Sequence, residues 1–349
     1  MPYLNAVDPA LTDLLRDPPA RPHDVGATRA EHAEALRRNG AAPEHVDVVG
    51  DLMVGHIPVR TYQRAQASDR APVIVFLHGG GWVRGNLDAV DGICRTFANT
   101  TGFVVVNVDY RLAPEHPYPA ALDDVEFVLD WIAEHAEVLG ADPARIVVGG
   151  TSAGGNLAAA VCLRRLGQPN CPALQLLVYP VLDTSMNTAS ARQFATGHRL
   201  TRERVLWYVE QYAPGNLATE PEVAPLRAAD VSGLPPAYLL LAEFDVLRDD
   251  GIAYAERLRS AAVPVELRVW PSMIHGFLSF GARVPDQRSA AIQALSVWLM
   301  EQFATGERYV ARHRADIEAD IAKLNPILTC CSPAPAATPS SGQTLWCEE

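Results

Sequence analysis

Short, nearly unbroken apolar runs alternate along the chain with longer stretches in which apolar residues recur every three or four positions. The runs at residues 73–77, 103–108, 146–148, 174–179, 238–241 and 265–269 are rich in Val, Ile and Leu. β-Branched side chains favour extended backbone, and a run without polar alternation predicts a strand buried on both faces. Residues 121–136 and 252–262 carry helical spacing. The first of these has Asp123, Asp124 and Glu126 in its opening turns, where acids offset the positive end of the helix dipole. Strand and helix in alternation predict an α/β protein with a mostly parallel sheet and helices on both faces. Ahead of it, Val46-Asp47-Val48-Val49 and residues 57–62 predict an antiparallel pair leading into the first buried strand.

Two segments fall outside this alternation. Residues 1–39 are helical in pattern, with Leu11, Leu14 and Leu15 on one face, and residues 184–221 hold Val205, Leu206, Trp207, Tyr208 and Tyr212 without a strand signal. They are either peripheral core helices or, as expected here, a lid packed over the strand ends, where open α/β sheets place their ligands. The resulting division is cap helices over 1–45, a catalytic domain over 46–304 with a cap insertion at about 184–221, a charged C-terminal helix over 305–324 and a tail over 325–349. The tail is rich in Cys, Pro, Ser and Ala and is expected to be disordered.

With 349 residues, 48% hydrophobic and 20% charged, the chain can bury a large core. A formal net charge of −12 argues against nucleic acid and anionic membranes as partners and favours a small molecule. No stretch approaches the roughly 18 apolar residues of a membrane span. Asp8, Asp13 and Asp17 stand where a secretory signal would be basic and then apolar, so a cytoplasmic location is expected. Cys94, Cys162 and Cys171 stand singly near apolar segments and read as buried thiols, while Cys330, Cys331 and Cys347 lack a histidine at ligand spacing. Neither a metal nor a cofactor is expected.

The run at 146–148 leads into Gly150-Thr151-Ser152-Ala153-Gly154-Gly155. A Gly-x-Ser-x-Gly sequence between a strand and a helix permits a tight, strained turn that projects the serine hydroxyl. A hydroxyl is a weak nucleophile until a base takes its proton, and the base works best when a carboxylate orients it. His275 follows the last strand and the Trp270-Pro271 pair, a strand-end position for a base. His198 lies in the lid segment and His313 in the C-terminal helix. For the acid, Asp245 follows the strand at 238–241 by the short turn Ala242-Glu243-Phe244, with Glu243 its main competitor and Asp249 and Asp250 further rivals. His78-Gly79-Gly80-Gly81, directly after the strand at 73–77, can present uncrowded backbone N–H groups to an oxyanion, joined by the N–H of Ala153. No Gly-Lys-Ser/Thr follows, and dinucleotide spacing is missing, so the glycines do not read as a phosphate cradle. His78 reads as an anchor of that loop.

Four ordered landmarks make the chain similar to the hormone-sensitive-lipase-like family of α/β-hydrolases, in its bacterial carboxylesterase branch. They are His78-Gly79-Gly80-Gly81-Trp82; Asp109-Tyr110-Arg111-Leu112-Ala113-Pro114-Glu115; the serine turn; and the stretch from Asp245 to Gly251 together with His275-Gly276-Phe277. The resemblance spans residues 46–303 and implies an α/β-hydrolase sheet, a helical cap and hydrolysis of esters with short acyl chains by Ser152, His275 and Asp245. It also implies structural roles for Arg111 and Glu115, and it allows a homodimer through the sheet edge near the last strands. Thr151 resembles the subgroup with threonine before the serine, and Val246 stands where proline is frequent, so the turn there is expected to differ. Trp82, Tyr179, Tyr208 and Phe277 are candidates for lining an acyl or alcohol pocket, or are simply core. An amidase, lactonase or carbamate hydrolase would use the same groups. A non-catalytic receptor or scaffold on this fold is disfavoured by the presence of His275.

Overall fold

The computed structural model describes residues 6–15, 24–65, 70–303 and 318–319. Its strands are β1 (Val48–Val54), β2 (Ile57–Gln63), β3 (Ala71–Leu77), β4 (Val104–Val108), β5 (Ala141–Thr151), β6 (Leu174–Val178), β7 (Ala237–Phe244) and β8 (Val265–Ile274). The helices are α1 (Val25–Asn39), α2 (Asp91–Thr101), α3 (Ala120–Glu134), α4 (Ala153–Arg164), α5 (Ala189–Gln193), α6 (Arg202–Tyr212), α7 (Arg248–Ser260) and α8 (Pro285–Gln302). One sheet holds the strands in the order β1-β2-β4-β3-β5-β6-β7-β8. Only β1 with β2 and β2 with β4 pair antiparallel; the other neighbours run parallel.

Every residue of β3, β4, β6 and β7 is buried. Successive side chains of a strand point to opposite faces, so burial of all of them requires cover on both sides. The helices supply it in two sets, with α2 packing on α8 and α3 on α4. The edges differ: β1 leaves Val48, Val49 and Met53 exposed, and β8 at the other edge, expected to be buried on both faces, is only half-buried over residues 265–269, where Glu266 and Arg268 alternate with apolar residues. β1 also begins two residues later and runs further than the apolar signal at 46–49 suggested, because its alternation is interrupted by Gly50-Asp51 but continued by pairing with β2.

A second difference matters for the site. The stretch Ala242-Glu243-Phe244, expected to be a turn, belongs to β7. Opposite it, Ala242 pairs with Trp270 and Phe244 with Ile274, so β8 accommodates two extra residues. Such a bulge bends a strand and re-aims the residues beyond it; here the first of these is His275.

The predicted cap, C-terminal helix and tail fall only in part within the described residues. Within 1–45 the structure places a short helix at Pro9–Leu14 and α1, whose first turn is capped by the Asp24 carboxylate accepting from the Ala27 N–H. Beyond Phe303 only Glu318 and Ala319 are described; the tail, His313, Cys330, Cys331 and Cys347 lie outside the described residues. Cys94 and Cys162 are buried and Cys171 half-buried, all as free thiols. Among the described residues no helix is long and apolar enough to cross a membrane.

Candidate active site

Ser152 occupies the single residue between β5 and α4, at φ 55° and ψ −117°. A non-glycine residue in such a region costs of order 1–3 kcal/mol and persists only where the surroundings hold it. They do so here through several bonds. The Ser152 N–H donates to the Val178 carbonyl (2.9 Å), and its carbonyl accepts from the Asn156 N–H (3.0 Å). The buried Asn156 side chain in turn donates to the carbonyls of Val181 and Val223 at 2.9 and 2.8 Å. Gly154 lets α4 come hard against the end of β3: a Cβ there would lie 2.1 Å from the Leu77 carbonyl oxygen. The glycine spacing seen in the sequence is therefore a packing requirement.

Three strand ends bring the chemistry together. Asp245 follows β7 directly and His275 follows β8. The His275 Nδ1 lies 2.7 Å from Asp245 Oδ2, and its Nε2 lies 2.9 Å from Ser152 Oγ. An ionised carboxylate only accepts, so Nδ1 carries the ring proton and Nε2 is the acceptor facing the hydroxyl. Asp245 is 1% exposed, and its Oδ1 accepts from the Leu247 N–H at 3.0 Å, which fixes the carboxylate without crowding the oxygen used by His275.

The rival acids are occupied elsewhere. Glu243 Oε2 accepts from the Ser272 N–H at 2.8 Å and so holds the bulge of β8. Asp249 accepts from the Ser190 N–H at 2.7 Å and from the Arg248 guanidinium at 2.8 Å. Asp250 is buried, and desolvation together with the charges of Asp183, Asp249 and Asp245 pushes its pKa up to about 8. A carboxyl that is neutral at pH 7 cannot stabilise an imidazolium.

The glycine loop lies beside this array. Gly79 abuts Thr151 and Ser152, and a Cβ on it would stand 3.2 Å from that of Ser152. Gly81 has φ 63°, and a Cβ there would lie 2.3 Å from the Tyr208 ring. Gly80 closes the loop by accepting from the Val83 and Arg84 N–H groups through its carbonyl. Outside the helix and strand ladders, the N–H groups of Gly80, Gly81 and Ala153 donate to no described residue. His78 is fully buried, stacks on Tyr110 at 4.2 Å and donates from Nδ1 to the Gly79 carbonyl at 2.9 Å. Burial pulls its pKa down to about 4, so it is neutral at pH 7. Tyr110 donates from its hydroxyl to the His78 carbonyl at 2.7 Å. Arg111 is bound to the buried Asp124, and Glu115 to Arg29.

A cavity of about 150 Å³ opens over Ser152 and His275, with Gly79, Gly80 and Gly81 in its wall. Trp82, Tyr179 and Tyr208 line it. Trp82 stacks flat on Tyr212 at 4.6 Å, and Tyr179 sets its edge against the His275 ring at 4.9 Å. Phe277 does not line the cavity: it is fully buried behind Tyr179, at 6.0 Å, and Phe280 holds the position on the wall. Phe280 follows the single turn Phe277–Ser279 and leaves helical geometry, at φ −103° and ψ 40°.

Several residues of this region carry no mark in the sequence. Arg29 on α1 donates from Nε to the Val83 carbonyl at 2.8 Å, contacts the Ala113 carbonyl at 3.2 Å and pairs with both oxygens of Glu115. It thereby ties α1 to both the glycine loop and the 109–115 stretch. Glu31, His32, Arg84, Arg199 and Arg204 also line the cavity. The one usable signal was the stripe Glu31, His32, Ala35 and Leu36, which a helix places on one side.

A serine on a strained turn at the end of β5, a histidine and acid on following strand ends, and a glycine loop after β3 define the α/β-hydrolase class. The family described as alpha/beta hydrolase fold matches residues 74–279, and this chain belongs to it, in the hormone-sensitive-lipase-like branch. A carboxylesterase of Mycobacterium tuberculosis, NlhH, is 43% identical over 304 residues, covering 83% of this chain and 94% of that protein. An ethyl acetate hydrolase of Pseudomonas putida is 35% identical over 274 residues, 75% of this chain and 85% of that protein. Among solved structures, an ester hydrolase from the metagenome of Lake Arreo, bound to a bipyridine phosphonate derivative, superposes with a TM-score of 0.79 at 35% identity, covering 86% of this chain and 100% of the other.

Proposed function

We propose that this chain is a serine carboxylesterase acting on esters of short-to-medium acyl chains. The observation that carries the reading is the unbroken relay from Ser152 Oγ through His275 to Asp245, at 2.9 and 2.7 Å, on a strained turn that faces the cavity. Ser152 attacks the ester carbonyl as its proton passes to His275 Nε2. Asp245 orients the ring and stabilises the imidazolium that forms. The N–H groups of Gly80, Gly81 and Ala153, with Gly79 setting the loop against the serine, receive the oxyanion. The carbonyl re-forms, the alkoxide leaves with the proton from His275, and an acyl-Ser152 remains. Water then repeats the sequence with His275 as base, releasing the acid and restoring the serine.

The names carried by the relatives support an ester as the scissile bond, and the cavity supports a short acyl group, since about 150 Å³ is the size of a protein cavity that admits a benzene ring. The Pro9–Leu14 turn and α1, together with the segment bearing α5 and α6, act as the cap; Leu14, Leu36, Leu200 and Val205 reach the cavity from them. Steady-state hydrolysis of p-nitrophenyl esters of graded length tests the reading. Turnover is expected to peak between acetate and hexanoate and to fall steeply for palmitate. Faster cleavage of p-nitroacetanilide or of a lactone than of every ester would contradict it.

A further inference from the structure

The cavity wall carries a charge balance opposite to that of the whole chain. Apart from His275 and the tyrosines, its ionisable side chains are Arg84, Arg199, Arg204, His32 and Glu31, in a protein of formal net charge −12. Glu31 is already engaged, since its carboxylate lies 3.4 Å from the Arg204 guanidinium. Arg84 and Arg199 are left with no ion pair or side-chain hydrogen bond among the described residues. Elsewhere Arg60, Arg111, Arg164 and Arg165 are each bound to a carboxylate.

The two guanidiniums are nonetheless held. Arg84 Cζ stands 5.4 Å from the centre of the Tyr208 ring, and Arg199 Cζ stands 4.6 Å from that of Phe280; both rings line the cavity. Stacking on an aromatic face orients a guanidinium while leaving its N–H edge free to bind. Arg199 is also in the left-handed region at φ 69°, a conformation that needs support from its surroundings. The Nε of Arg84 and both ring nitrogens of His32 are buried without a hydrogen-bond partner among the described residues. Burial, reinforced by repulsion from Arg84 and Arg204 and only partly offset by Glu31, lowers the Arg199 pKa to about 10, and burial next to both arginines holds His32 well below its ordinary value. An anion placed between them would relieve that repulsion. The planar, forked donors of arginine match a carboxylate bidentately, and a carboxylate is small enough to share a cavity of about 150 Å³ with an ester group.

We propose that Arg84 and Arg199 bind a carboxylate of the substrate, so that the preferred substrates are anionic monoesters of small dicarboxylic acids or of hydroxy acids. The assignment rests on the esterase reading and adds the chemical class of its substrate. A positive cavity in an acidic protein also steers such an anion past a surface that would otherwise repel it.

The test pairs each anionic ester with a neutral one of like shape. Monoethyl succinate is set against ethyl isocaproate for a carboxylate on the acyl side, and acetoxyacetate against isobutyl acetate for one on the alcohol side, with acid release followed by pH-stat. At least one anionic ester is expected to exceed its partner in kcat/KM by about tenfold or more, as a charge-assisted bond made in the transition state allows. That ratio should fall about tenfold in Arg84→Met and in Arg199→Met and recover partly in Arg199→Lys. In Ser152→Ala, calorimetric binding of the favoured anionic ester should weaken on adding Arg199→Met. Ester hydrolysis with no anionic preference, or with a ratio that neither methionine variant moves, overturns the proposal while leaving the esterase reading intact. Anion binding that depends on Arg199, in a protein that turns over no ester, supports the site and overturns the esterase reading instead.

Discussion

Ser152→Ala is expected to lower kcat/KM for p-nitrophenyl butyrate by about a millionfold, leaving melting temperature unchanged. Removing the nucleophile of an acyl-transfer relay has an effect of that order because serine and histidine act as a unit. The remainder is the residual acceleration from oxyanion donors and substrate positioning, roughly 10³–10⁴ over water. The fold should tolerate the change. Alanine and serine face the same strain at φ 55°, and the bonds that hold the turn run from the backbone of Ser152 and from Asn156, not from the hydroxyl. A loss of less than about a hundredfold, with the fold intact, would mean that another group attacks the ester.

Asp245→Asn is expected to lower kcat by about 10⁴, and Glu243→Gln by less than about tenfold. An asparagine amide offers His275 Nδ1 either an acceptor carbonyl without charge or a donor that forces the wrong tautomer, and in both cases the imidazolium loses its counter-charge. Glu243 reaches His275 only indirectly, by accepting from the Ser272 N–H in the bulge that leads to it. Glutamine keeps an acceptor oxygen for that bond. Equal losses in the two variants, measured by steady-state hydrolysis of one ester, would show that the carboxylate charge felt by His275 does not come from Asp245 alone.

The parallel strands were legible because burial on both faces leaves an unbroken apolar run, as in β3, β4 and β6. The positions of Ser152 and Asp245 were legible for a related reason: each comes shortly after such a run, and strand ends in a parallel sheet converge on one edge. His275 was legible by its place beyond the last strand, β8, whose opening alternates charged Glu266 and Arg268 with apolar residues and is only half-buried. Glu243 marked the limit of that logic. A charged residue inside an apolar run reads as a turn, yet here it stays in β7 because the bulge in β8 gives its carboxylate a backbone donor. Phe277 and Phe280 were indistinguishable in the sequence, since which ring meets the cavity depends on the backbone where one short turn ends. The arginines were least legible. Arg84 follows the glycine loop, Arg199 precedes α6, and Arg29 and His32 sit on α1, so only the packing of distant segments brings them to one region. Spacing along a chain carries no record of such a meeting.

In the mechanism proposed for this site, His275 and Asp245 together make the Ser152 hydroxyl nucleophilic, and everything else proposed depends on that activation. Incubation with a fluorophosphonate followed by peptide mass spectrometry tests it most directly, because the reagent is attacked by an activated serine and leaves a stable adduct. One adduct is expected, on the peptide carrying Ser152, formed rapidly in the unmodified protein and at least about a hundredfold more slowly in His275→Gln. Labelling at another residue, or equal labelling of Ser152 in the two proteins, would contradict it.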